Sequence, residues 1–346
     1  MPTIAEAQGL WDPDTIYLNT ASYGLPPRPA WDALQETLED WRGGRTSWER
    51  WGDSAERARA EFARMVSVPA DRVAIGATVS SFAGLVAASL PDSTRVVCPE
   101  IEFTSNLWPF LAQESRGVTV EAVPMDRLAE AVDAETGVVA FSAVQSATGE
   151  VADLDAVADA ARHHGALTVL DATQGCGWLP LDAGRFDFVT CAAYKWLACP
   201  RGVAFMTVRP ERLADVIPHA AGWYAGEDPH ASYFGPPLRL AESARRLDTS
   251  PAWFSWVGAA PALELLNEVG VPAIHEHDVG LANAFRAGLG LEPSDSAIVT
   301  ADLPGAAEQL DGSGVMASVR NGRLRTAWHL YNTADDVDRV LELLRG

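Results

Sequence analysis

The chain has 346 residues, with 47 acidic side chains against 26 basic ones and a formal net charge of −21. A surface this acidic repels nucleic-acid phosphates and anionic lipid, so neither is an expected partner. An apolar share of 48%, no apolar run of membrane-spanning length and a Met1–Leu10 segment without a basic cluster predict a globular protein without an export signal, expected in the cytoplasm.

In chain order, Trp31, Leu34, Leu38 and Trp41 share one face of a predicted helix. A strand-like run at Arg72–Ile75 leads into the turn Gly76-Ala-Thr78-Val79-Ser80 and an apolar helix over Phe82–Leu90. Further strand-like runs follow at Arg95–Cys98, Val118–Val123 and Val138–Val144. Ala156, Ala160 and His163 then fall on one helix face, with Asp153 and Asp155 near its start. Leu167–Leu170, Phe186–Cys191 and Val203–Val208 complete the strand-like set. These runs are short and almost continuously apolar, as in a parallel sheet buried on both faces. Their alternation with helices predicts a three-layer α/β/α domain over residues 15–262. From about Leu263 the pattern changes to helices with weaker strands, so 1–14 and 263–346 are assigned to a smaller α+β domain. The Gly, Pro and aromatic stretch His219–Pro237 is the best candidate for a binding loop.

The cysteines Cys98, Cys176, Cys191 and Cys199 form no CxxC pair and are expected to be reduced and buried. His275-Glu-His277-Asp278 invites a metal reading, but residues two apart on a helix face different ways, so no metal is expected.

Lys195 is the chain's only lysine; the other basic residues are all arginine. A guanidinium stays protonated, whereas a desolvated amine can lose its proton and attack a carbonyl. A lone lysine among arginines therefore suggests a position where arginine fails chemically. The run Leu167-Thr-Val-Leu-Asp171 ends in an acid at the rim where parallel sheets bind ligands. One strand–loop–strand unit later comes Tyr194-Lys195-Trp196, at the same sheet edge. An amine that forms a Schiff base and an acid that pairs with a pyridinium nitrogen are what pyridoxal 5′-phosphate (PLP) chemistry needs.

Several motifs carry a resemblance. Asp171-Ala-Thr-Gln174, Phe186-Asp187-Phe188, Tyr194-Lys195-Trp196 and Pro200-Arg-Gly202 resemble the class V aminotransferase family of fold type I, which includes cysteine desulfurases, selenocysteine lyases, kynureninases and isopenicillin N epimerases. Tyr17-Leu-Asn19-Thr-Ala-Ser-Tyr23-Gly24, Glu102-Phe103-Thr-Ser-Asn106 and Arg325-Thr-Ala-Trp-His-Leu-Tyr331 continue the likeness in the family's order. The resemblance implies a large PLP-binding domain built on a mostly parallel seven-stranded sheet. It implies that Lys195 carries PLP, that Asp171 pairs with the ring nitrogen, that Gln174 hydrogen-bonds the phenolic oxygen and that Phe103 stacks on the ring. Thr78, Val79, Ser80 and Tyr194 are the expected phosphate donors, since phosphate calls for hydroxyls and helix N-terminal amides. Arg325 is the expected clamp for the substrate α-carboxylate, with Asn19 and Ser146 as further substrate contacts; Gln145 competes with Ser146. The resemblance also implies a homodimer in which Thr249 or Ser250 reaches the neighbouring subunit's phosphate.

The reaction is less constrained, because fold does not fix chemistry. Cysteine desulfurases carry a nucleophilic cysteine on a loop ahead of the carboxylate arginine; here that region, Gln309–Ser318, has none. Tyr194 also stands where desulfurases usually have histidine. Aminotransfer is therefore expected first, C–S β-elimination second and epimerisation or cyclisation third. A non-catalytic PLP-binding protein is the alternative of another class.

Overall fold

The structure is a computed structural model describing residues 2–345. Its centre is a seven-stranded sheet in the spatial order Val73–Gly76, Ala204–Val208, Phe188–Ala192, Leu167–Asp171, Thr136–Ser142, Arg95–Pro99, Thr119–Val123. Ala204–Val208 runs antiparallel to both its neighbours, and the other six strands share one direction. The seven apolar runs of the sequence are these seven strands, with ends displaced by up to two residues.

Side chains alternate across a strand, and here each side enters a separate core. Leu170, Val189 and Phe205 pack with the helix Trp48–Met65 and the helix Trp253–Val269 on one face. Val169, Phe188 and Met206 pack with the helix Val79–Ser89 and with Phe110 on the other. Both faces are apolar because both are covered, which explains the near-continuous hydrophobicity of Phe188–Ala192 and Ala204–Val208, buried at every position. A third core holds Leu281, Phe285, Val299, Leu324, Trp328 and Leu341 around a three-stranded antiparallel sheet made of Ser318–Arg320, Arg323–Ala327 and Ile298–Ala301. Its strand Arg323–Ala327 reaches the N-terminal segment, where Asn19 bridges Ala327.

Two helix faces differ from the sequence expectation. The helix Leu154–His164 buries Val157, Ala158 and Ala161, while His163 is exposed. Alanine spread round the helix makes several stripes equally apolar, and the branched Val157 picks the inner one. Trp31, Leu38 and Trp41 do share the helix Arg28–Arg42, but Trp31 is 54% and Trp41 56% exposed in the single chain. The stretch His219–Pro237 forms irregular chain with short turns, and Phe234 points outward at 89% exposure. Among the described residues no helix is long and apolar enough to cross a membrane, and no cluster of His, Cys, Asp and Glu could hold a metal ion.

Candidate active site

The six co-directional strands end at one edge, and a cavity opens there. Gly76 leads to Thr78, Val79 and Ser80; Asp171 leads to Thr173 and Gln174; Ala192 leads to Tyr194 and Lys195. Phe103, Ser142 and Ser146 arrive from the strands Arg95–Pro99 and Thr136–Ser142. All of these residues but Gly76 line the cavity, together with Arg201, which precedes the antiparallel strand. Parallel sheets bind ligands at this edge because the connections there splay to either side.

Lys195 is 6% exposed. Burial lowers its pKa to about 8; Asp171 opposes the shift, and Arg325 and Arg320 reinforce it. Its Nζ lies 5.3 Å from the centre of the Phe103 ring. The backbone around it is fixed by Gly24, whose N–H donates to Tyr194 O at 2.9 Å. A Cβ on Gly24 would stand 1.9 Å from Lys195 O, so no larger residue fits. Asp171 is buried, and its carboxyl is pushed up by desolvation and pulled back by hydrogen bonding from Thr173 and by the charge of Lys195. Thr173 N donates to Asp171 Oδ1 at 2.9 Å.

Gln174 is oriented by its surroundings. Trp196 Nε1 donates to its Oε1 at 2.8 Å, and its own Nε2 donates to Ala21 O at 2.9 Å. An amide nitrogen carries two hydrogens, so one donor remains for a ligand in the cavity. Phe103 is half-exposed, and its backbone is held through its neighbour: buried Glu102 accepts from Phe103 N at 2.9 Å and from Ser142 N at 2.8 Å. Burial raises Glu102 to about 7.

Also lining the cavity, Thr78 caps the helix Val79–Ser89, its Oγ1 accepting from Ser81 N at 3.2 Å. The amides of Val79 and Ser80 belong to the first helical turn, whose N–H groups have no partner within the helix and attract anions. Arg201 stacks over the Tyr194 ring at 4.7 Å, adding a cation to the cavity wall.

Arg325 is 2% exposed and lies beyond Ser146, outside the lining proper. Its Nη1 donates to Ser146 O at 2.6 Å and its Nη2 to Ser22 Oγ at 2.7 Å. Burial lowers it to about 10, with Arg320 contributing. Asn19 is also off the lining, with its Oδ1 buried and unpartnered among the described residues. Gln145 turns away: its amide is bonded to Ile101 O and Ala147 N, which leaves Ser146 as the cavity residue. Thr249 and Ser250 do not line the cavity of their own chain. They follow Asp248, which is tied to Arg59 at 2.6 Å and to Ile75 N at 2.8 Å. Sequence reasoning missed Arg201, Thr173, Ser22 and Arg320. Arg201 stands inside the Pro200-Arg-Gly202 motif, but no site role was drawn from it, and nothing in the sequence marks Arg320 among so many arginines; that neither has an acidic partner among the described residues is visible only in three dimensions.

The family model for aminotransferase class V matches residues 16–302. The chain belongs to the class V aminotransferase family. It is 29% identical to an uncharacterized aminotransferase of Bacillus subtilis, over 94% of this chain and 92% of the relative. It is 22% identical to a probable cysteine desulfurase of Methanothermobacter thermautotrophicus, over 96% and 94%. Among solved structures, a lysine variant of the lyase C-DES with glycine covalently linked to its PLP cofactor superposes with a TM-score of 0.87 at 20% identity, covering 99% of both chains. The fold is therefore that of fold type I PLP enzymes, and this member of the family is a PLP-dependent enzyme. The donor set fits that cofactor: a lone amine with a depressed pKa, a buried carboxylate, an aromatic face, and hydroxyls with helix amides on the same cavity wall.

Proposed function

We propose that this enzyme is an aminotransferase acting at the α-carbon of an amino acid. The observation that carries the reading is the placement of the only lysine, buried and with a lowered pKa, in a cavity it shares with Asp171. PLP, when bound, supplies an electron sink for the pair left on the substrate's α-carbon. Lys195 Nζ would take the proton from that carbon and, for the amino group to stay behind, pass it to the cofactor rather than back to the same carbon, work suited to an amine whose pKa lies near neutrality. Asp171 pairs with the ring nitrogen and holds its proton. Gln174 offers its free amide hydrogen to the phenolic oxygen, and Phe103 covers the ring and excludes water. Thr78, Val79, Ser80 and Tyr194 hold the phosphate, and Arg201 adds charge beside them. Arg325 anchors the substrate α-carboxylate, with Ser146 and Asn19 alongside.

The thiols support aminotransfer over persulfide chemistry. Cys98, Cys176, Cys191 and Cys199 are buried, none lines the cavity, and burial pushes Cys98 up to about 12. A thiolate nucleophile needs the opposite environment. The proposed enzyme is a homodimer: Thr249 and Ser250 lie off their own cavity, and Trp31 and Trp41 leave an apolar surface on the same subunit. Light scattering at low micromolar concentration tests this, and a fully active monomer would refute it.

The reaction is tested by incubating the holoenzyme with an amino acid and a 2-oxo acid. A new amino acid formed from the acceptor is the expected product. Ammonia and a 2-oxo acid released without any acceptor would instead establish β-elimination, and inversion at the α-carbon would establish epimerisation.

A further inference from the structure

The strands Ser318–Arg320 and Arg323–Ala327 form a hairpin that turns through Asn321 and Gly322, at φ 50° and 76°. Positive φ at both positions is what a tight two-residue hairpin needs. Residues two apart on a strand share a face, as do cross-strand partners. Ser318 and Arg320 therefore stand on one face with Arg325 and Arg323. From that face two cations meet at one neutral atom: Arg325 Nη2 and Arg320 Nη2 donate to Ser22 Oγ at 2.7 and 3.1 Å.

Every hydrogen bond that these two guanidinium groups make among the described residues goes to a neutral oxygen: Ser22 Oγ, Ser318 Oγ, Ser146 O or Val319 O. In a chain with 47 acidic residues, that is an unusual place to leave two arginines without a carboxylate. Like charges held together unneutralised cost free energy, and such arrangements cluster at binding sites. The free donors are divided between the two. Arg325 uses one hydrogen on each nitrogen, so Nη1 and Nη2 each keep one, the paired fork that suits a single carboxylate. Arg320, exposed, keeps Nε–H and one hydrogen on each terminal nitrogen, enough for a second.

We propose that the substrate is a dicarboxylic amino acid, or the matching 2-oxo acid, with its α-carboxylate on Arg325 and its distal carboxylate on Arg320. This rests on the reading of Arg325 as the α-carboxylate anchor, and it names the substrate class of that site.

The test is calorimetric titration of the holoenzyme with glutarate and with propionate, in the native protein and in Arg320→Gln. The native protein is expected to bind glutarate at least about tenfold more tightly, the size of one charge-assisted hydrogen bond. Arg320→Gln is expected to remove most of that preference. Equal affinity for the two acids in the native protein would overturn the inference without recourse to any variant. A variant that weakens both acids in equal proportion would also overturn it, because a single carboxylate would then straddle both arginines. Absorbance changes with L-glutamate and L-alanine are recorded in parallel. No change with L-glutamate in an enzyme that still forms product from another amino acid and a 2-oxo acid refutes only the dicarboxylate assignment, as do changes with both and no glutarate preference; no product from any amino acid refutes aminotransfer itself.

Discussion

The two edges of the central sheet both gather charge, and they use it differently. At the edge where the co-directional strands begin, a second cavity is lined by Arg162, Arg185, Arg209 and Arg212 around Asp187. Every one of these cations has an acid: Arg209 and Arg212 share Asp187 at 3.3 and 3.1 Å, Arg185 pairs with Asp155 and Arg162 with Asp159. Buried Asp187 is further satisfied by Thr168 N at 3.0 Å. At the opposite edge Lys195, Arg201, Arg320 and Arg325 make their contacts with aromatic rings and neutral oxygens instead. The closed network needs nothing more. The open one has donors to spare and a desolvated amine, which is the condition for holding an anionic cofactor and substrate. Pairing, rather than the number of arginines, separates the closed edge from the one proposed as the active site.

The contrast can be broken by mutation at either edge. The largest effect is expected from Lys195→Ala, which removes the proposed proton carrier and should lower turnover by at least about 10²–10⁴-fold, measured under saturating substrate and PLP. Asp171→Ala comes next: losing one buried, charged hydrogen-bond partner should weaken PLP binding by about 1.5–3 kcal/mol, read from a fluorescence titration of the apoprotein. The pH dependence of reconstitution is a finer measure. Burial holds the Lys195 ammonium to about 8, so the free amine is the minor form below that pH and the major form above it. The rate at which apoprotein captures PLP should therefore climb with pH and level off above about 8; a rate still climbing near 10, as for an ordinary lysine, would remove the burial argument. The smallest effect belongs to the closed edge. Arg212 is 36% exposed at its side chain and shares Asp187 with Arg209. Arg212→Gln should thus cost no more than about 1 kcal/mol in urea unfolding and leave turnover unchanged.

The legibility of the sequence follows the same division. The strands could be read because burial on both faces makes each an apolar run, and Asp171 stands out as an acid closing one of them. Lys195 was legible because composition isolates it. Gly24 could be placed only through its motif, and its reason, contact with Lys195 O, is a tertiary one. The proposed carboxylate end was half legible. Arg325 sits in a recognisable run, whereas Arg320 is one arginine among many until Ser22 brings the two together across nearly the whole length of the chain. The buried Arg59–Asp248 pair beneath Thr249 was invisible for the same reason: its partners are 189 residues apart. Helix stripes built of alanine, as at His163, misled because alanine carries too little burial energy to choose a face.

The central claim is that Lys195 is the residue that holds the cofactor. The most direct measurement is borohydride reduction of the holoenzyme followed by peptide mass mapping. The account predicts a stable pyridoxyl label on the peptide containing Lys195 and none in Lys195→Ala. A holoenzyme that turns over normally while that peptide stays unlabelled would contradict it.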